Sequence, residues 1–231
     1  MNYFDEHPLQ PFLEQLASDS PTPGGACAAA ASGMLGASLL GMVCRITQNK
    51  RGYESVRDDI VSALKRCEGL REDLAHLSRE DETAYTSLMA AFQLPRENDS
   101  QILVRKAALR SAWKDAVRSP LQIARVCQAV LDEAPEVTRL GSKSARSDAV
   151  VAAVLAEAGL RGSILTTRAN LAGLSDPAAA ARISHELDLM ERRGRRTLEK
   201  VLASADFVQL NQTDVPQVVK SFAVSSAGNR P

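Results

Sequence analysis

The sequence predicts an all-α protein, a multi-helix antiparallel bundle, and three observations predict it. Alanine is abundant while aromatic residues are only 4% of the 231 residues, a balance that suits helices packed over small side chains and not a β-sandwich, whose strands want Val, Ile, Tyr and Thr. Apolar residues recur at steps of three and four along several long stretches, the spacing of one face of a helix. Between those stretches lie short runs rich in Pro, Gly, Ser and Asp, which join antiparallel neighbours.

The composition, 45% hydrophobic and 24% charged, fits one soluble domain, residues 1–205, followed by a looser C-terminal extension over 206–231 where the pattern fades. The 28 basic and 28 acidic residues cancel, so nothing in the charge balance points to nucleic acid or a membrane surface. Cys27, Cys44, Cys67 and Cys127 are far apart, with no C-x-x-C pair, and read as reduced thiols of a cytoplasmic protein. His7, His76 and His185 are scattered, and no metal site is visible. Residues 1–7 already carry Asp5 and Glu6 and show no signal-peptide pattern.

In chain order, residues 9–17 predict a short helix with Phe12, Leu13 and Leu16 on one face, lying over the next helix. Ser20-Pro21-Thr22-Pro23-Gly24-Gly25 is a stiff turn that opens into an alanine- and glycine-rich helix over 28–43. Ala29, Gly33, Ala37 and Gly41 are spaced by four, so small side chains line one side and let a neighbouring backbone approach. That helix is uncharged enough to be weighed as a membrane span, but Ala and Gly are weakly hydrophobic and Arg45, Lys50 and Arg51 follow, which favours a buried helix. Its N-terminus suits an anion through its unpaired N–H groups; a tight turn with no ligand explains the same residues.

Residues 53–93 predict a long helix with an apolar row at Val56, Ile60, Leu64, Cys67, Leu70, Leu74 and Leu77. Asp81 then stands where the row wants a leucine, followed by Ala84 and Leu88. A carboxylate turned inward needs a partner or a raised pKa, which makes it a candidate acid/base; alternatively the helix breaks near Ser78 and Asp81 caps the next segment. Residues 101–118 predict another helix, with Trp113 in the core, and Ser119-Pro120 restarts a helix running to about residue 133, before Pro135. After the loop 141–146, Ser147-Asp148 would cap a helix from Ala149 toward Leu174, on which Thr166 and Asn170 present polar groups on one face. Ser175-Asp176-Pro177 opens the last long helix, with Ile183, Leu187, Met190, Leu198 and Leu202 inward.

These landmarks, in this order, resemble the cyclodeaminase-type domain of the formiminotransferase-cyclodeaminase family, which includes free-standing methenyltetrahydrofolate cyclohydrolases. The motifs that carry the likeness are Ser20-Pro21-Thr22-Pro23-Gly24-Gly25, Met42-Val43-Cys44, Asp81-Glu82-Thr83-Ala84-Tyr85, Leu94-Pro95, Ser119-Pro120-Leu121, Ser147-Asp148-Ala149 and Asn170-Leu171. The chain departs from the family pattern at Ala26, Cys27, Arg45, Ser142 and Thr166. The resemblance implies a homodimeric helical bundle that takes a folate or related pterin, with no metal or cofactor, and hydrolyses 5,10-methenyltetrahydrofolate, or releases ammonia as a cyclodeaminase. It implies Asp81 as catalytic acid/base, and a substrate site drawn from Pro23, Gly24, Gly25, Ala26, Cys27, Tyr85, Ser147, Asp148, Thr166 and Asn170. Arg45, Lys50 and Arg51 are the candidates for the carboxylates of a glutamate tail. Cys27, at a helix start, is either a nucleophile of lowered pKa or a small apolar filler.

Overall fold

A computed structural model describes residues 9–204 as six α-helices with no strand among them. They are α1 (Leu9–Leu16), α2 (Gly25–Gln48), α3 (Arg57–Gln93), α4 (Asp99–Leu140), α5 (Arg146–Leu171) and α6 (Pro177–Ser204), with one-turn 3-10 segments at Glu54–Val56 and Lys143–Ala145. The extension expected at 206–231 lies outside the described residues.

Helices α2 to α5 form an up-and-down four-helix body, and α6 packs across α4 and α5. Tight contacts give the directions. Gly36 of α2 lies against Ala152 and Ala156 of α5, whereas Ala29 lies against Gly159, so the two helices run antiparallel. A Cβ at Gly36 would sit 2.8 Å from the Ala152 carbonyl oxygen, and one at Gly159 would sit 2.7 Å from that of Ala29. These glycines therefore set how closely the two backbones approach. The predicted small-residue face is also real: Ala29, Gly33, Ala37 and Gly41 are all buried. By length and composition α2 and the Lys143–Leu171 segment would each be able to cross a membrane, but half or more of each apolar window is buried inside the body.

The core runs through the body from Leu40, Ile60 and Leu74 to Ile123, Leu131, Leu160 and Leu187. All four cysteines are unpaired and buried in it. Helices α3 and α4, at 37 and 42 residues, are much longer than α2 and α5, at 24 and 26. Their far ends overshoot the body as a two-helix arm with its own small core of Leu88, Ala91, Ala112 and Ala116.

Several expectations need correction. No residue of α1 is buried, and Leu9 and Leu13 are exposed, so α1 does not pack over α2 as its apolar face suggested. Helix α3 does not break near Ser78; it is continuous through Asp81. Helix α4 runs without interruption through both Pro120 and Pro135, where breaks were expected. Helix α5 starts at Arg146, so Ser147 and Asp148 lie in its first turn and do not cap it. The opening of α6 is as expected, with the Ala179 N–H donating to Asp176 Oδ1 at 3.0 Å.

Candidate active site

Where the arm leaves the body, it leaves a cavity of about 390 Å³. One wall is the turn before α2, with Pro21, Thr22, Gly24, Gly25 and Ala26; a second is Thr166 and Asn170 from the end of α5. The arm supplies Tyr85, Leu88, Met89, Phe92, Trp113 and Ala116, and Asp81 lies among them.

Gly24 has no side chain to cap α2, and the first helical hydrogen bond is from Ala28 N–H to the Gly24 carbonyl. The N–H groups of Gly25, Ala26 and Cys27 therefore lack helical acceptors, and the positive end of the helix dipole faces the cavity. An ether or carboxyl oxygen, or a developing negative charge, fits there.

Asp81 is partly buried, and its Oδ1 accepts from the Ser119 hydroxyl at 2.7 Å. Burial raises its pKa above the ordinary 3.8, the Ser119 hydrogen bond pulls it back, and Glu82 beside it pushes it up. A carboxyl so placed takes and returns a proton more readily near neutrality than an exposed aspartate. The interior carboxylate, and not the helix break, is thus the right reading of the interrupted leucine row.

Cys27 Sγ lies 3.7 Å from the Ser78 carbonyl oxygen, 3.8 Å from Glu82 Oε1 and 4.0 Å from Asp81 Oδ2. Its pKa is raised, first by burial, so the helix start does not make a thiolate of it. Buried beside the carboxyl groups of Asp81 and Glu82, Cys27 fits the filler alternative better than the nucleophile. Pro23 is buried behind the turn, joined to Thr22 by a cis peptide bond, and like Cys27 is not part of the cavity lining.

The remaining candidates are elsewhere. Lys50 is 25 residues along from Gly25, about 35 Å at the helical rise, and its Nζ donates to Ser142 Oγ at 2.7 Å and Ser144 Oγ at 3.2 Å. Arg45 pairs with Glu68 on α3, and Arg51 is exposed just beyond Lys50. Ser147 and Asp148 open α5 at that same end, whereas Thr166 and Asn170 close it at the cavity. Within one chain these residues do not meet the cavity.

Of the arm's contribution the sequence reading named only Tyr85. Trp113, assigned to the core, does pack against the arm's small core but also lines the cavity, with Phe92 edge-on to it at 6.3 Å between ring centroids. The signal was there: Tyr85, Met89 and Phe92 step by four and three along α3 as a second stripe beside Leu88 and Ala91. An apolar and aromatic lining with a few polar groups suits a heterocycle. Among the described residues no three His, Cys, Asp or Glu side chains converge as metal ligands.

Comparison with known proteins bears on this geometry. The sequence profile described as Formiminotransferase-cyclodeaminase matches residues 8–189. The chain is 41% identical over 180 residues to the methenyltetrahydrofolate cyclohydrolase of Methylorubrum extorquens, covering 78% of this chain and 86% of that protein. It is 27% identical over 195 residues to the formimidoyltransferase-cyclodeaminase of Sus scrofa, covering 84% of this chain but 36% of that longer protein. The fold is that of a formiminotetrahydrofolate cyclodeaminase crystal structure from Thermotoga maritima, with a TM-score of 0.78, 24% identity, and coverage of 89% of this chain and 98% of that one.

Proposed function

Because the chain belongs to the formiminotransferase-cyclodeaminase family, we propose that it is a methenyltetrahydrofolate cyclohydrolase with Asp81 as its acid and base. It adds water across the one-carbon bridge of 5,10-methenyltetrahydrofolate and yields 10-formyltetrahydrofolate. The observation that carries this reading is the partly buried, proton-favouring carboxyl of Asp81 in the aromatic cavity beside the start of α2.

The substrate's bridge is an amidinium-like cation, which a carboxylate stabilises. Asp81 takes a proton from water as the oxygen attacks the bridge carbon. It then returns that proton to N5 as the N5–carbon bond breaks, while the hydroxyl of the intermediate loses its own proton to solvent and becomes the formyl oxygen on N10. Net, one water is consumed and one proton released. Trp113, Phe92 and Tyr85 cover the flat ring, and the N–H groups at the start of α2 face its oxygen or carboxyl substituents. This chemistry asks for no metal or cofactor.

A homodimer is part of the same proposal. Leu35, Met42 and Ile46 on α2 and Val151, Val154 and Leu165 on α5 are exposed along the outward side of this helix pair, an apolar surface of the kind a second copy covers. A two-fold axis across its middle sets the Lys50 end of one copy against the Gly25 end of the other. That is how Arg45, Lys50, Arg51, Ser147 and Asp148 enter the reading. Four unpaired thiols support a cytoplasmic location.

The names of the porcine and Thermotoga relatives make ammonia release from 5-formiminotetrahydrofolate the second reading. The test adds purified protein to 5,10-methenyltetrahydrofolate and follows loss of its near-ultraviolet absorbance, with a methenyl pterin analogue in parallel and ammonia release from the formimino compound as a third arm. Faster loss in the first arm is expected. No acceleration in that arm removes the cyclohydrolase assignment, and acceleration only in the second or third arm replaces it.

A further inference from the structure

Pro120 lies inside α4. It has no N–H, so the Ala116 carbonyl one turn earlier has no helical donor. Asn170 supplies one from α5: its Nδ2 donates to the Ala116 oxygen at 2.7 Å. A carbonyl oxygen only accepts, so this contact fixes which way round the Asn170 amide lies, with Nδ2 toward Ala116 and Oδ1 away from it. Asn170 lines the cavity, and among the described residues no donor reaches its Oδ1. One turn earlier, Thr166 donates its hydroxyl proton to the Gly162 carbonyl at 3.1 Å, which leaves Oγ1 also as an acceptor.

We propose that Asn170 is a specificity-determining hydrogen-bond acceptor for an N–H or NH₂ group on the substrate's ring, and that Pro120 is the positioning residue that holds it in that role. The proposal rests on the folate reading above, since a reduced pterin carries ring N–H and amino donors along one edge. The α5 wall offers acceptors and no spare hydroxyl donor, so it favours a donor-rich edge over an isosteric ring that presents lone pairs there.

The experiment compares wild type, Pro120→Ala, Asn170→Ala and the double variant by steady-state hydrolysis of 5,10-methenyltetrahydrofolate and by thermal melting. Alanine at 120 restores an N–H for Ala116 and releases the Asn170 amide to turn. The expected result is a KM roughly tenfold higher for each single variant, kcat within about twofold, no further rise in the double variant, and a Tm for Pro120→Ala at or above wild type. A purely structural pairing predicts the same or better Tm with KM unchanged, and that outcome overturns the proposal. Should Pro120→Ala misfold, an unchanged KM in Asn170→Ala overturns it equally. A wild-type protein without turnover sinks the folate reading and the proposal together, whereas an active wild type with unmoved variants sinks the proposal alone.

Discussion

At the scale of the residue, Asp81 is a carboxyl group caught between two demands. Burial and Glu82 favour its protonated form, while the Ser119 hydrogen bond favours the carboxylate. With Asp81 as the proposed base, the rate is expected to fall on the acid side at a pH above the ordinary 3.8, because that base must be unprotonated to take a proton from water. Ser119→Ala removes the one contact that lowers this pKa, so the acid limb of kcat/KM moves to still higher pH; a limb that stays put or moves down contradicts the assignment. The same shift has a stability consequence. With the folded pKa above the unfolded one, the native protein takes up the proton first, so the stability tied to protonated Asp81 is full below the unfolded value and lost as pH rises through the folded one. Asp81→Asn, with no charge to bury, gains stability relative to wild type as pH is raised through that window. Urea unfolding at pH 4 and pH 7 reads this directly, and an equal gap at both values contradicts it.

At the scale of the element, the helices and their small-residue packing were legible, and what eluded the sequence was non-local. Side-chain periodicity marked α2 and α3, and the Asp176 cap marked the start of α6, because nearby residues decide them. Pro120 reads as a break in any local rule, yet α4 continues through it, and the Ala116 carbonyl it leaves without a donor is met by Asn170, fifty residues beyond the proline and on another helix. The arm and its aromatic slot arise from unequal helix lengths, which no single motif states. Lys50 and Arg51 follow the glycine turn closely along the chain, yet the intervening helix carries them to the opposite end of the body. The closeness of α2 to α5 makes a paired prediction. Gly36→Ala gains about 1 kcal/mol of helix propensity but drives a Cβ into the Ala152 carbonyl, at 2.8 Å, and overpacking of that kind costs about 1–3 kcal/mol. The net effect is a loss of stability. Gly69 is an exposed helical glycine with nothing within 4 Å of an added Cβ, so Gly69→Ala should gain about 1 kcal/mol. Chemical denaturation of the two variants checks both signs, and two gains would mean that α2 and α5 are not this tightly apposed.

At the scale of the whole molecule, one carboxylate, one uncapped helix start and one aromatic arm meet at a single notch, while the apolar outer side of α2 and α5 is left uncovered. If that side is the homodimer face, Leu35→Glu yields a monomer in light scattering at micromolar concentration, where wild type runs as a dimer; two species of equal mass would remove the face from the assembly. The basic end of α2 gains its role only in that assembly, so the same variant should raise KM for polyglutamylated substrate. On the proposed mechanism the reaction depends on Asp81, and kcat for 5,10-methenyltetrahydrofolate in Asp81→Asn tests it most directly. The predicted result is a fall of at least about 100-fold with an unchanged far-ultraviolet circular dichroism spectrum. A folded Asp81→Asn protein that hydrolyses the substrate within twofold of wild type would contradict it.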